Sequence, residues 1–157
     1  MTGWAAAAEG VPGGRWRRVA GWLLLACLLG GRCQAAAPPA DTLFDDLGGR
    51  PAIDGFVGRA VDLYMTDPRL SSFFDNINPD WLKRRFGAFV CHIADGPCPY
   101  RGRSMAATHK GLHVDEAAFN AVVEDLQVAM REQGIAFRTQ NRLLARLAPM
   151  ERDIVTR

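Results

Sequence analysis

From Asp41 onward the apolar positions recur with a period near 3.6 residues, and strand-like alternation is nearly absent, so the spacing predicts an all-helical domain. Asp41 or Thr42 is placed to cap a short first helix running through Leu47, which Gly48-Gly49 ends. Pro51 opens a second helix at its first position, with Ile53, Phe56, Val57, Ala60, Val61 and Tyr64 as its inner stripe, and Asp67-Pro68 breaks it. Leu70, Phe73 and Phe74 fall in a corner. Asn78-Pro79 then reads as a cap and a first-turn proline, and Leu82, Phe86, Phe89, Val90 and Ile93 follow at offsets of 4, 7, 8 and 11, one helical face. Asp95-Gly96-Pro97 stops this helix, and a loop runs to about Arg103 with a short helical piece over 104–110. Asp115 caps a long helix with Phe119, Val122, Val123, Leu126, Ala129 and Met130 inward, closed by Gly134. One last helix is expected to carry Leu143, Leu144, Leu147, Met150 and Ile154.

Upstream of this pattern the chain changes character. Arg15-Trp16-Arg17-Arg18 leads into Val19–Leu29, an apolar run of eleven residues, and Gln34-Ala35-Ala36-Ala37 precedes Pro38-Pro39. That is the plan of a secretory signal, and the run is too short to span a bilayer comfortably. The expectation is residues 1–35 as a signal peptide or retained N-terminal anchor, 36–41 as a linker and 42–157 as the domain. Leu24-Leu25-Ala26-Cys27 leaves a lipoprotein-type cleavage open. The domain would then be exported, periplasmic or held at the membrane. The whole chain has a formal charge of +2, but residues 1–35 hold four arginines and one glutamate, so the remainder carries about −1. With no basic face interleaved with aromatics, nothing points to nucleic acid.

Little else in the sequence can do chemistry. There is no zinc-type pairing of ligands, phosphate loop or nucleophile elbow. His109 stands out, between a Pro/Gly-rich turn and the long helix that follows Asp115. A neutral imidazole is a standard iron ligand, and its second nitrogen needs an acceptor to fix the tautomer. His92 falls off the inner stripe near a helix end, and His113 follows His109 by four residues. Cys91 and Cys98 flank the end of one helix; they read either as a disulfide or as two reduced small hydrophobes. Cys27 and Cys33 belong to the leader.

Four motifs carry a family resemblance over nearly all of the domain: Leu43-Phe44-Asp45-Asp46-Leu47-Gly48-Gly49 with Pro51-Ala52-Ile53; Asp67-Pro68-Arg69-Leu70 with Phe73-Phe74; Gly96-Pro97 with Tyr100 and Gly102-Arg103-Ser104-Met105; and His109-Lys110-Gly111. Together they resemble a group 1 truncated haemoglobin. The resemblance implies a two-over-two helical sandwich around haem b, with His109 as proximal iron ligand. It places Phe74, Leu82, Phe86 and Phe89 against the haem, with Met105, Val114, Phe119 and Val122 on the proximal side and floor. The absence of a C-x-x-C-H sequence excludes covalent attachment through that motif.

Many members place a tyrosine and a glutamine on the distal side. In register, those positions are Val61 and Phe86 here, with Leu82 as the third, and all are apolar. Tyr64 lies one turn beyond Val61 and is expected to point elsewhere. Bound oxygen carries partial negative charge, so the missing hydrogen bond should cost about 1–3 kcal/mol. That is roughly 5- to 150-fold in affinity, mostly as faster dissociation. The expected function is reversible binding of a diatomic gas (oxygen, nitric oxide or carbon monoxide). The alternative is an enzyme removing nitric oxide or peroxide, which would need an external reductase.

Overall fold

The computed structural model describes residues 42–156. They lie in a unit that runs from Pro39 to Arg157; the leader, its cleavage and the linker fall outside the described residues. Seven α-helices are present there: α1 (Leu43–Asp46), α2 (Gly49–Thr66), α3 (Pro79–Ile93), α4 (Met105–His109), α5 (Glu116–Glu132), α6 (Phe137–Leu147) and α7 (Glu151–Ile154). Short 3₁₀ turns occupy Ser71–Phe73 and Ala148–Met150. Among the described residues there is no strand, and no helix is long and apolar enough to cross a membrane.

Local chemistry sets the helix ends. Thr42 accepts from the Asp45 N–H at 3.1 Å while the Asp45 carboxylate accepts from the Thr42 N–H at 3.3 Å, a reciprocal cap on α1. Gly48 has φ +88°, which lets the chain reverse between α1 and α2 without a Cβ penalty. Helix α2 therefore starts at Gly49 rather than Pro51, whose ring fits within the first turn because no intrahelical donor is needed there. Asn78, Ser104 and Asp115 cap α3, α4 and α5 through their side chains. The C-terminal end of α3 is held by Arg146, which donates to the Ile93 carbonyl at 2.5 Å and pairs with Asp95 at 2.6 Å.

Helix α2 packs on both α3 and α5, and α5 packs on α6. The result is two helix pairs, α2/α3 and α5/α6, forming the two-over-two sandwich. Ile53, Phe56, Val57, Ala60 and Val61 of α2 meet Leu126, Ala129 and Met130 of α5 in a sealed core.

Two expectations need correction. The last helix is not continuous: Pro149 lacks the N–H that an α-helix needs, so the chain tightens into a 3₁₀ turn and restarts as α7. On α5 the sealed stripe is Ala118, Ala121, Asp125, Leu126, Ala129 and Met130, whereas Phe119, Val122 and Val123 are only half-buried. The sealed positions combine small residues with Leu126 and Met130, whereas Phe119, Val122 and Val123 keep part of their surface open.

Candidate functional site

Helix α4 has five residues, too few to stand alone in water. It packs on α7, and the Thr156 N–H bonds the Val114 carbonyl at 2.9 Å, so the C-terminal tail braces the segment carrying His109. His109 is half-buried, and its Nδ1 lies 2.9 Å from the Met105 carbonyl. A carbonyl can only accept, so Nδ1 carries a proton, and in the neutral ring Nε2 then presents a bare lone pair. Among the described residues no three His, Cys, Asp or Glu side chains converge as a metal cage. A lone imidazole holds a metal only where another group, such as a macrocycle, fills the remaining positions.

Leu82 and Phe86 of α3 are half-buried and packed against the core, and Phe89 is 9% exposed. Phe74, Met105, Phe119 and Val122 are also half-buried against that core, and Val114 is nearly sealed. These residues keep apolar surface open around the segment that carries His109 and along α3. Val61 differs from them: it has no accessible surface and stands within the core. Of the three residues expected on the distal side, Leu82 and Phe86 are the two that keep surface open.

Tyr64 is buried, with its ring 5.8 Å from Phe74 in a near-parallel stack and 6.4 Å from Phe86. Its hydroxyl donates to the Val122 carbonyl at 3.2 Å. Burial raises its pKa far above the ordinary tyrosine value, with the nearby Asp125 adding to the shift, so it remains a neutral donor. The phenol is therefore close to the site yet committed to backbone.

Tyr100 organises the approach to α4. Its ring meets Phe89 edge-on at 5.2 Å, and its hydroxyl donates to the Arg103 carbonyl at 3.2 Å. A Cβ at Gly102 would overlap that ring, so only glycine allows the loop to fold back over it. Cys91 and Cys98 form a disulfide with Cα atoms 5.8 Å apart, which ties the end of α3 to this loop. His92 is exposed and stacks on Tyr100 at 6.0 Å, while exposed His113 sits in a left-handed turn at φ +52°. Among the described residues, neither ring is oriented by a backbone carbonyl as the His109 ring is by Met105.

Asp125 is the polar residue that the periodic reading passed over. It is 8% exposed, and Oδ2 has no hydrogen-bond partner. Burial, and then the charge of Asp67, push its pKa up; Arg69 opposes them. Its position on the small-residue stripe Ala118, Ala121, Asp125, Ala129 was the available signal.

The chain matches the model of the bacterial-like globin family over residues 42–156. It is 31% identical over 116 residues to a group 1 truncated hemoglobin of Nostoc sp., covering 74% of this chain and 98% of that one. A group 1 truncated hemoglobin of Mycolicibacterium paratuberculosis is 30% identical over 120 residues, covering 76% and 88% respectively. Among solved structures, the Fe(III) truncated hemoglobin of Tetrahymena pyriformis superposes with a TM-score of 0.71 at 25% identity, covering 74% of this chain and 99% of that one. The chain belongs to the bacterial-like globin family, as a group 1 truncated haemoglobin.

Proposed function

We propose that this haem-binding globin holds haem b through His109 and reversibly binds a diatomic gas on the face lined by Leu82 and Phe86. The observation that carries the reading is the bond from the His109 Nδ1–H to the Met105 carbonyl, which leaves Nε2 available as an iron ligand. The half-buried apolar side chains of Phe74, Leu82, Phe86, Met105, Phe119 and Val122 fit the same group, because a flat macrocycle would cover surface the domain leaves open. When bound, the haem supplies an iron centre for a small ligand. The chain supplies the imidazole, excludes water with phenylalanine and leucine, and offers no side-chain donor from Val61, Leu82 or Phe86. Tyr64 does not replace that donor, since its hydroxyl is taken by Val122. Oxygen should therefore leave quickly, and carbon monoxide, less polar when bound, should be affected less.

Reversible binding is favoured over peroxide chemistry by the same residues, for breaking an O–O bond calls for a proton donor beside the reacting oxygen. The test is an absorption spectrum of protein produced with added haem. A sharp Soret band is expected in the wild type. In His109→Gly it should be lost or strongly altered, and restored by free imidazole. No band in the wild type, or a band untouched by His109→Gly, overturns the assignment.

A further inference from the structure

Charge is divided unevenly along the domain. Residues 81–113, from α3 through α4, carry six Lys or Arg and one carboxylate, a formal net of +5. The rest of 42–156 carries eight Lys or Arg and fourteen carboxylates, a net of −6. Among the described residues outside this stretch, five of the eight arginines are ion-paired and Arg131, Arg138 and Arg152 are not, whereas within it Lys83 alone of the six cations is paired. Arg50, Arg59, Arg69, Arg142 and Arg146 all pair with carboxylates, as does Lys83 with Asp62. Arg84, Arg85, Arg101 and Arg103 make no ion pair among the described residues, and all four are exposed.

The linear sequence shows no basic face interleaved with aromatics, but the structure assembles one from α3 and the loop that follows it, with Arg101 in that loop. Trp81, Arg84, Arg85 and His92 follow at offsets of 3, 4 and 11, the outward stripe of α3. Trp81 is 50% exposed. The Arg85 guanidinium lies 6.0 Å over the Tyr100 ring, His92 stacks on that ring, and Tyr100 bonds Arg103, so the stripe continues into the loop. Tyr100 in turn touches Phe89, and the patch therefore abuts the candidate haem face.

We infer that the surface formed by Trp81, Arg84, Arg85 and the Tyr100–Arg103 loop docks an acidic electron-donor protein. The inference rests on the haem reading above. An iron that must be ferrous to take oxygen needs one electron whenever it becomes ferric, and the chain carries no flavin or nicotinamide fingerprint of its own. The donor gives one electron, Fe(III) becomes Fe(II), and no protein bond is made or broken. Unpaired arginines around one exposed tryptophan are what a protein partner uses, with Trp and Arg as anchors and charge as the steering force. A membrane would need a broader apolar face than a single ring.

The probe is a flavodoxin, a small acidic flavin protein, offered in its reduced form to the haem-loaded ferric globin. Association is followed by surface plasmon resonance and reduction by stopped-flow absorbance. Both should weaken steeply as salt rises and screening shortens. Arg84→Glu with Arg101→Glu should lower association and the bimolecular reduction rate at least about tenfold at low salt. It should leave the Soret band, and reduction by a small neutral flavin, unchanged. Arg131→Glu with Arg138→Glu makes the same change in net charge away from the patch and should have little effect. No flavodoxin binding, salt-independent binding, or equal losses in the two charge-reversal variants overturns the inference. So does binding of the patch to phosphatidylglycerol vesicles in place of flavodoxin. A missing Soret band would instead overturn the haem reading, so the two failures are distinguishable.

Discussion

Phe56 and Phe86 are both phenylalanines on long helices of one domain, and they end in different states. Phe56, on α2, has no accessible surface and belongs to the sealed core. Phe86, on α3, is half-open beside Leu82 and Tyr64. The first region is complete as protein, its apolar side chains sealed from water. The second leaves apolar surface at a cost of roughly 25 cal/mol per Å². A ligand that covers this surface would add stability by binding only the folded chain.

The largest effects come from testing that contrast directly. Phe56→Ala should cost about 3–5 kcal/mol in urea unfolding, with or without haem, because Phe56 is already sealed by protein. Phe86→Ala should cost less than about 2 kcal/mol without haem and distinctly more with it. Equal costs for Phe86→Ala in both states would mean that its face is ordinary core, and the contrast would collapse. The disulfide comes next. Replacing Cys91 and Cys98 together with serine should lower stability by about 2.5 kcal/mol under oxidising conditions, the chain-entropy value for closing so short a loop. It should also speed haem loss, since the bridge ties α3 to the loop before His109.

Most helices were legible because their signals are local: Thr42, Asn78, Ser104 and Asp115 each cap the helix that follows. Pro149 was the strongest local signal that the reading missed, and it split the last helix. The bracing of α4 by α7 was not legible, for it joins segments some forty residues apart through one backbone bond and a packed turn. His109 was found through its motif, yet the Met105 carbonyl that fixes its tautomer is visible only in three dimensions. The distal residues were named from register alone; the structure separates sealed Val61 from half-open Leu82 and Phe86. That separation directs the next variant. Phe86→Gln should return a donor to the open distal face and slow oxygen dissociation by roughly 5- to 150-fold, about 1–3 kcal/mol, measured by stopped-flow. An unchanged rate would show that the apolar face does not control oxygen.

The smallest expected effect lies within the sealed region, which has one flaw. Asp125 is buried on α5 with Oδ2 unpaired, facing the charges of Asp67, Arg69, Glu124 and Arg59. Its folded-state pKa is raised, so between the ordinary carboxylate value and that raised value the folded chain binds more protons than the unfolded one. Stability from this group therefore falls as pH rises through the window and recovers on acidification. Asp67, Asp95 and Glu132 act in the opposite sense, because arginine partners lower their pKa values and their contribution is lost in acid. The wild-type curve alone mixes the two, whereas the difference from Asp125→Asn isolates one. That variant should be more stable by about 1 kcal/mol at neutral pH. The gain should shrink as pH falls through the raised folded-state value toward the ordinary carboxylate range. A gain that stays constant with pH would place its origin in packing, and a loss at neutral pH would mean that the charged carboxylate is needed where it stands.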